Sequence, residues 1–226
     1  MAAARRHRQG KGRVHVKEKL QERLESKDYY GALQMYKTLY SRHCNLNEYT
    51  LAIELACEGS QALIAHQQRT AACELGTCMI TAMMESNVPV SVETKRKKIR
   101  PHHKKAKFSL GYCIEYIQDI NAAFEKAECV GLELAHCLKQ GVKWSAKYGT
   151  RKRGDPALQL LVARAYRNAE DFVSSTCHYL HAEAPVEFTE MIIQWCKKGT
   201  RSERDLFVTR AVLQYVAFEK ISGICI

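Results

Sequence analysis

Asp28-Tyr29-Tyr30-Gly31-Ala32-Leu33-Gln34-Met35-Tyr36 returns later in the chain as Asp171-Phe172-Val173-Ser174-Ser175-Thr176-Cys177-His178-Tyr179. Each copy reads Asp, then an aromatic, then a small residue three positions on (Ala32, Ser175), then Tyr four positions after that (Tyr36, Tyr179). An Asp at a helix start accepts the backbone N–H bonds that the first turn leaves open. The aromatic, the small residue and the Tyr then fall on one helical face. A small residue in mid-face lets a neighbouring helix come close. Two such helices far apart in one chain predict stacked helical hairpins, although an amphipathic helix of a bundle shows the same face. Architectures of this kind hold partners rather than turn over substrates.

The rest of the chain fits that reading. A short charged helix is predicted from about Val14 to Ser26, and the first copy of the motif opens a helix over 28–43 with Tyr29, Ala32, Leu33, Tyr36 and Leu39 on one face. Two more helical patterns cover 47–66, with Leu51, Leu55 and Leu63, and 69–86. Pro89 and Pro101 bracket a stretch that cannot continue as helix, after which helical patterning resumes over about 108–140. Gly154-Asp155-Pro156 is a strong helix start, with Asp at the cap and Pro at the first helical position. Leu158, Leu161, Val162, Ala165 and Tyr166 line the face that follows. The second copy of the motif runs from Asp171 to about Ala182, and Pro185 opens a helix through Trp195. The last helix starts near Glu203 and is expected to bury Phe207, Val208, Ala211, Val212, Tyr215 and Phe218. Alternating Val-rich strands are absent. The predicted fold is all α, a right-handed α-solenoid of about five tetratricopeptide-like helical hairpins over residues 14–218, in which Tyr36 and Tyr179 are both buried.

Charge is confined to two segments. The 226 residues carry a formal net charge of +11. Residues 1–14 hold five Lys/Arg and no acid, and residues 95–107 hold eight and no acid, so the remainder is close to neutral. Residues 1–13 read as a disordered basic arm and 88–107 as a poorly ordered basic insertion. The run Lys95–Lys107 (KRKKIRPHHKKAK) is either a solvated interhelical loop or a patch for phosphate backbones, a membrane surface or an import receptor. No aromatic is interleaved within it to stack on bases, which disfavours nucleic acid.

The residues exclude several chemistries. Gly-x-Ser-x-Gly, His-Glu-x-x-His and phosphate-cradling Gly-rich loops are missing, so no enzymatic activity, cofactor or metal is expected. His136-Cys137 and Cys177-His178 are adjacent pairs whose side chains point about 100° apart on a helix, which reads as a core Cys beside a surface His rather than as chelation. Ten cysteines without any Cys-x-x-Cys, most within apolar helical runs, read as reduced thiols. No apolar h-region follows the basic start and no apolar run approaches membrane-spanning length, which predicts a cytosolic or nuclear protein.

Four stretches in order carry a resemblance: Lys27-Asp28-Tyr29-Tyr30 with Gln34-Met35-Tyr36-Lys37-Thr38-Leu39; His66-Gln67-Gln68-Arg69-Thr70-Ala71-Ala72-Cys73-Glu74-Leu75; Lys143-Trp144-Ser145 with Gly154-Asp155-Pro156; and Arg201-Ser202-Glu203 with Asp205-Leu206-Phe207-Val208 through Ala211-Val212-Leu213-Gln214-Tyr215. Together they resemble the Golgi to ER traffic protein 4 family of the guided-entry pathway for tail-anchored membrane proteins. The resemblance implies a cytosolic, non-enzymatic α-solenoid adaptor. Such adaptors bridge the targeting ATPase to a ubiquitin-like partner subunit, which a large scaffold chaperone joins in animals. Their amino-terminal helices face the ATPase. By that resemblance Tyr30, the second of the paired aromatics, lies on the ATPase-facing surface, and Glu74 stands where the family has an Asp tied to ATPase regulation. Lys37 and Arg42, on nearby turns, are candidates to meet acidic groups of the ATPase, or else belong to an ordinary solvated face. Gly31 replaces a family Glu, and the basic run has no family counterpart. Family members continue well past the position of residue 216, whereas this chain departs at Glu219-Lys220-Ile221-Ser222-Gly223. The expectation from this is a chain truncated at its C-terminus, with a divergent apolar tail over 219–226, that binds the ATPase but not the ubiquitin-like partner and self-associates through its uncovered last helix. The competing reading is a basic helical-repeat protein that binds nucleic acid or a nuclear import receptor.

Overall fold

In a computed structural model, residues 16–86, 110–129 and 131–218 are described, and their regular structure is entirely helical. Among the described residues ten α-helices follow one another as five consecutive pairs, as the sequence predicts. The chain divides into two compact units, Met1–Ser86 and Asn87–Ile226. The basic arm, the run Lys95–Lys107 and the tail after residue 218 lie outside the described residues.

The first unit holds α1 (16–25), α2 (Tyr29–Asn45), α3 (Tyr49–Ala65) and α4 (Arg69–Glu85). One turn joins them all. Lys27, Asn47 and Gln67, evenly spaced, each take a left-handed conformation, with φ of 62°, 56° and 62°. The residue after each donates its N–H five residues back, Asp28 to Arg23, Glu48 to His43 and Gln68 to Leu63, at 2.9–3.0 Å. Each left-handed residue itself donates three back. This pair of bonds is the Schellman ending, which satisfies the last carbonyls of one helix while starting the next. Glycine is the usual occupant of the left-handed position, and here Lys, Asn and Gln sit there instead.

Packing in this unit depends on small residues. Ala32, Ala52, Ala56, Ala72 and Ala82 are fully buried. A Cβ on Gly59 would come within 2.7 Å of Leu75 Cδ1 and 2.8 Å of Tyr36 Cδ1, so only hydrogen fits where α2, α3 and α4 meet. Beside it the Ser60 hydroxyl donates to the Ala72 carbonyl at 2.8 Å, tying α3 to α4. Tyr36 is buried, as expected from the motif.

The second unit holds α5 (Leu110–Lys126), α6 (Leu132–Tyr148), α7 (Pro156–Asn168), α8 (Phe172–Tyr179), α9 (Pro185–Lys198), a 3-10 turn Arg201–Glu203 and α10 (Arg204–Ala217). The helical pattern read over 108–140 is therefore two helices. The α5 ending repeats the turn of the first unit, with Glu128 at φ 53° and Cys129 N–H bonded to the Phe124 carbonyl. It appears again before α8, where Glu170 takes φ 62° and Asp171 N–H reaches the Tyr166 carbonyl. Asp155 caps α7 through Ala157 N–H at 2.8 Å, and Pro156 is its first residue. The Arg164 guanidinium grips the Glu187 carboxylate with two bonds of 2.8 and 2.6 Å, and Arg167 donates to Gln194, so α9 is fastened along α7. Phe172, Tyr179, Leu180, Phe188, Met191, Ile192, Ala211 and Tyr215 close the core of this end.

Two expectations fail in the second unit. The last helix buries Ala211 and Tyr215, but Val208 and Val212 are exposed, and Phe207 and Phe218 are only partly covered. Residues 206, 208, 212, 213 and 216 are apolar on the side of α10 that no described helix covers. At Cys177-His178 the order is reversed from a core Cys beside a surface His. Cys177 is exposed, whereas His178 stacks on Tyr166 at 5.6 Å and contacts Gln159. The buried Gln159 supplied a partner that made an inward-facing imidazole acceptable. At 136–137 the Cys is buried and the His exposed, as read from the sequence.

Candidate functional site

The candidate surface is built on α2 and α4 of the first unit. Asp28 caps α2 by accepting from Gly31 N–H at 2.9 Å, so the helix starts firmly and presents its first turn in a fixed register. Tyr29 packs inward against His66 at 5.3 Å. Tyr30, one step around, is 75% exposed. Seven residues later Lys37 returns to within about 20° of the same direction on the helix. Its ammonium is ion-paired with the Glu74 carboxylate on α4, which joins two of the four expected site residues across two helices. The hydrogen bond that Lys37 donates to Glu74 is the largest influence on Lys37 and raises its pKa, with burial opposing. Arg42 is exposed, has no ion pair with a described residue, and points about 140° around α2 from Lys37. The structure therefore brings Tyr30, Lys37 and Glu74 together and leaves Arg42 off their stripe.

The departure at Gly31 has a structural counterpart. A Cβ there would lie 2.0 Å from Arg23 Nη1 and 2.1 Å from Asp28 Oδ2, because the Arg23–Asp28 ion pair of 2.6 Å crosses over this glycine. Arg23 takes up the second oxygen of the capping Asp from outside the helix. This is a residue that sequence reasoning missed, since nothing in a lone Arg in α1 announces it.

Tyr40, Cys44 and Cys78 border the Lys37–Glu74 pair and were also missed. Tyr40 and Cys44 lie one and two turns on from Lys37, and Cys78 one turn on from Glu74, spacings that would have marked them. Burial raises the Tyr40 hydroxyl well above its usual range, with a hydrogen bond to Cys44 adding to it. Burial likewise raises the thiols of Cys44 and Cys78, although Lys37 pulls Cys78 back. In the other unit Cys113 is pushed up to about 12 by burial. A nucleophilic thiol needs the opposite shift. Among the described residues no three His, Cys, Asp or Glu side chains stand in a metal-holding arrangement.

The motifs Lys143-Trp144-Ser145 and Gly154-Asp155-Pro156 meet in space. Trp144 is buried, and Ser145 Oγ donates to the Val142 carbonyl while accepting from Asp155 N–H at 2.9 Å. Gly154, at φ 85°, has Val142 O and Ser145 Oγ where a Cβ would stand. These residues anchor the α6–α7 loop.

A model of the Golgi to ER traffic protein 4 family matches residues 46–223. The chain belongs to that family. The Golgi to ER traffic protein 4 homologue of Oryzias latipes is 30% identical over 213 residues, covering 94% of this chain and 59% of the relative. The Bos taurus homologue is 26% identical, covering 98% and 62%. The chain thus spans about six tenths of the length of the curated relatives it matches. The crystal structure of C. therm. Get4 aligns with a TM-score of 0.71 over 93% of this chain and 62% of that one, at 19% identity. That likeness shows the fold, an α-solenoid of helical hairpins.

Proposed function

We propose that this chain is a non-enzymatic adaptor in the targeting of tail-anchored membrane proteins to the endoplasmic reticulum, acting in the cytosol, and that its first unit holds the targeting ATPase. Membership of the Golgi to ER traffic protein 4 family supports the pathway. The observation that carries the site is Tyr30, 75% exposed on a capped first turn beside the Lys37–Glu74 pair. An aromatic held out on a rigid helix offers large apolar contact at small entropic cost, the property of an interface anchor. The neighbouring pair supplies one charge of each sign. An acidic group of the ATPase therefore competes with Glu74 for Lys37, so Glu74 tunes the contact rather than simply adding to it. Arg42 contributes charge from beside the stripe. No helix of the described residues is long and apolar enough to cross a membrane.

The test is binding of the purified chain to the targeting ATPase by calorimetry. Tyr30→Ala should weaken binding by about thirtyfold or more with helical content unchanged, as loss of an anchor worth over about 2 kcal/mol requires. Charge reversal at Lys37 should chiefly slow association. Unchanged affinity after Tyr30→Ala would remove this surface from the interface. Nuclease-sensitive capture of nucleic acid from cytosol in place of the ATPase would point instead to the two basic segments.

A further inference from the structure

The α6–α7 loop in the second unit carries three consecutive exposed cations, Arg151, Lys152 and Arg153, and the fold fixes it from several sides. Gly154 has no room for a side chain, and Asp155 N–H is held by Ser145 Oγ at 2.9 Å. Gln159, itself buried, donates from Nε2 to the Arg153 carbonyl at 2.6 Å. Arg151 Nη1 bonds Glu183 at 2.6 Å. A basic loop in free solution gains nothing from such fixation, whereas a recognition loop gains preorganisation.

Arg151 and Arg153 stand at the rim of a groove of about 400 Å³ whose apolar floor includes Pro156, Leu180 and Phe218, and Lys152 is exposed between them on the same loop. The Arg153 guanidinium lies 4.8 Å over the Phe218 ring and its Nη1 is 3.0 Å from His181 Nε2. Arg153 and Lys152 have no carboxylate partner among the described residues. Glu183 answers Arg151, and Asp155 is occupied as the α7 cap. The rim therefore carries positive charge in excess, directly above an apolar floor.

We propose that this groove docks an acidic segment of a partner protein, with carboxylates on Lys152 and Arg153 and an aliphatic side chain on Pro156, Leu180 and Phe218. A nucleic-acid backbone fits less well, because Glu183 stands in the wall and Arg153 already covers a face of the one floor aromatic. The groove lies in the second unit and does not depend on the ATPase surface of the first.

Fluorescence anisotropy of the full chain with a labelled Glu/Asp peptide carrying one central Leu tests the proposal. Lys152→Glu and Arg153→Glu should each weaken binding about tenfold, whereas the charge-matched Lys197→Glu on α9 should change it by less than about twofold. Replacing the peptide Leu by Ser should weaken it about fivefold through lost apolar burial. Lys152 has no hydrogen bond, ion pair or ring contact with another described residue, so its variant tests the site without removing a described contact. Equal losses in all three charge variants would reduce the effect to net charge and overturn the proposal. So would equal affinity for the Leu and Ser peptides, absence of binding, or displacement of the peptide by a single-stranded RNA oligomer of equal charge.

Discussion

The two copies of the nine-residue motif do the same structural work and differ where they meet solvent. Asp28 accepts from Gly31 N–H and Asp171 from Ser174 N–H, at 2.9 and 3.0 Å. Ala32 and Ser175 are fully buried, and Tyr36 and Tyr179 are 6% and 0% exposed. The third position of the motif is Tyr30 in one copy and Val173 in the other, both exposed. The position following the motif is Lys37, paired with Glu74, against the buried Leu180. The inward positions are set by packing and are shared. The outward ones set what the surface can hold, and only the first copy pairs an exposed aromatic with a cross-helix ion pair. A repeat is thus read for fold from its common residues and for function from its unlike ones.

The largest expected effect tests the shared part. Removing Tyr36 or Tyr179 to Ala deletes a buried ring and leaves a cavity, which should destabilise the affected unit by about 3–5 kcal/mol. Hydrogen exchange read helix by helix should show the loss in α2–α4 for Tyr36→Ala and in α7–α9 for Tyr179→Ala. Uniform loss over both units from either variant would break the comparison, because the two copies would then belong to one cooperative core.

A smaller effect belongs to the second copy alone. Position seven after the cap is His178 there and Met35 in the first copy. Burial, then the charges of Lys139 and His181, lower the His178 pKa from 6.5 to about 4. The ring faces Tyr166, the Gln159 amide and these two cationic or ionisable groups. Gln159 uses its Nε2 on the loop, so its Oε1 accepts from His178 Nδ1–H. A folded-state pKa below the unfolded one means that the unfolded chain binds the proton first. The stability is fully present above about pH 6.5 and is lost as the pH falls towards 4. Partial solvent screening reduces the loss to the order of 1–2 kcal/mol. Denaturant midpoints for the second unit should fall between pH 6.5 and 4, and His178→Gln should flatten that slope. A slope unchanged by the substitution would assign it to other groups.

What the sequence showed follows from which physical signals are local. The caps Asp28, Asp155 and Asp171 and the buried Tyr36 and Tyr179 were legible because capping and helical periodicity act over a few residues. Tyr30 was legible only through a family resemblance, since exposure of one aromatic leaves no periodic trace. The Lys37–Glu74 pair and the Arg23 clamp over Gly31 were not, because each joins different helices. The inward turn of His178 depended on Gln159, nineteen positions away in the chain. On α10, apolar periodicity predicted burial of Val208 and Val212, but periodicity marks a face able to be covered and does not supply the cover.

The smallest expected effect lies one residue before each cap. Lys27 and Glu170 both hold φ 62°, a conformation that costs an L-residue roughly 1–2 kcal/mol relative to glycine. Replacement by Gly relieves this but enlarges the freedom of the unfolded chain, which returns about 0.4–1 kcal/mol. The balance for Lys27→Gly is a gain of some tenths to about 1 kcal/mol. Glu170 has more to lose, because its carboxylate pairs with Lys198, whose ammonium lies 5.9 Å over the Phe172 ring of the motif itself. That pair is exposed and worth little, so Glu170→Gly should fall nearer to zero than Lys27→Gly. Asn47, which already tolerates φ 56°, should gain least from glycine on conformational grounds. Thermal midpoints of the three variants, in the order Lys27→Gly above Glu170→Gly and Asn47→Gly, check the turn. A clear loss in Lys27→Gly would mean that its side chain, and not the left-handed backbone alone, holds the first copy of the motif in place.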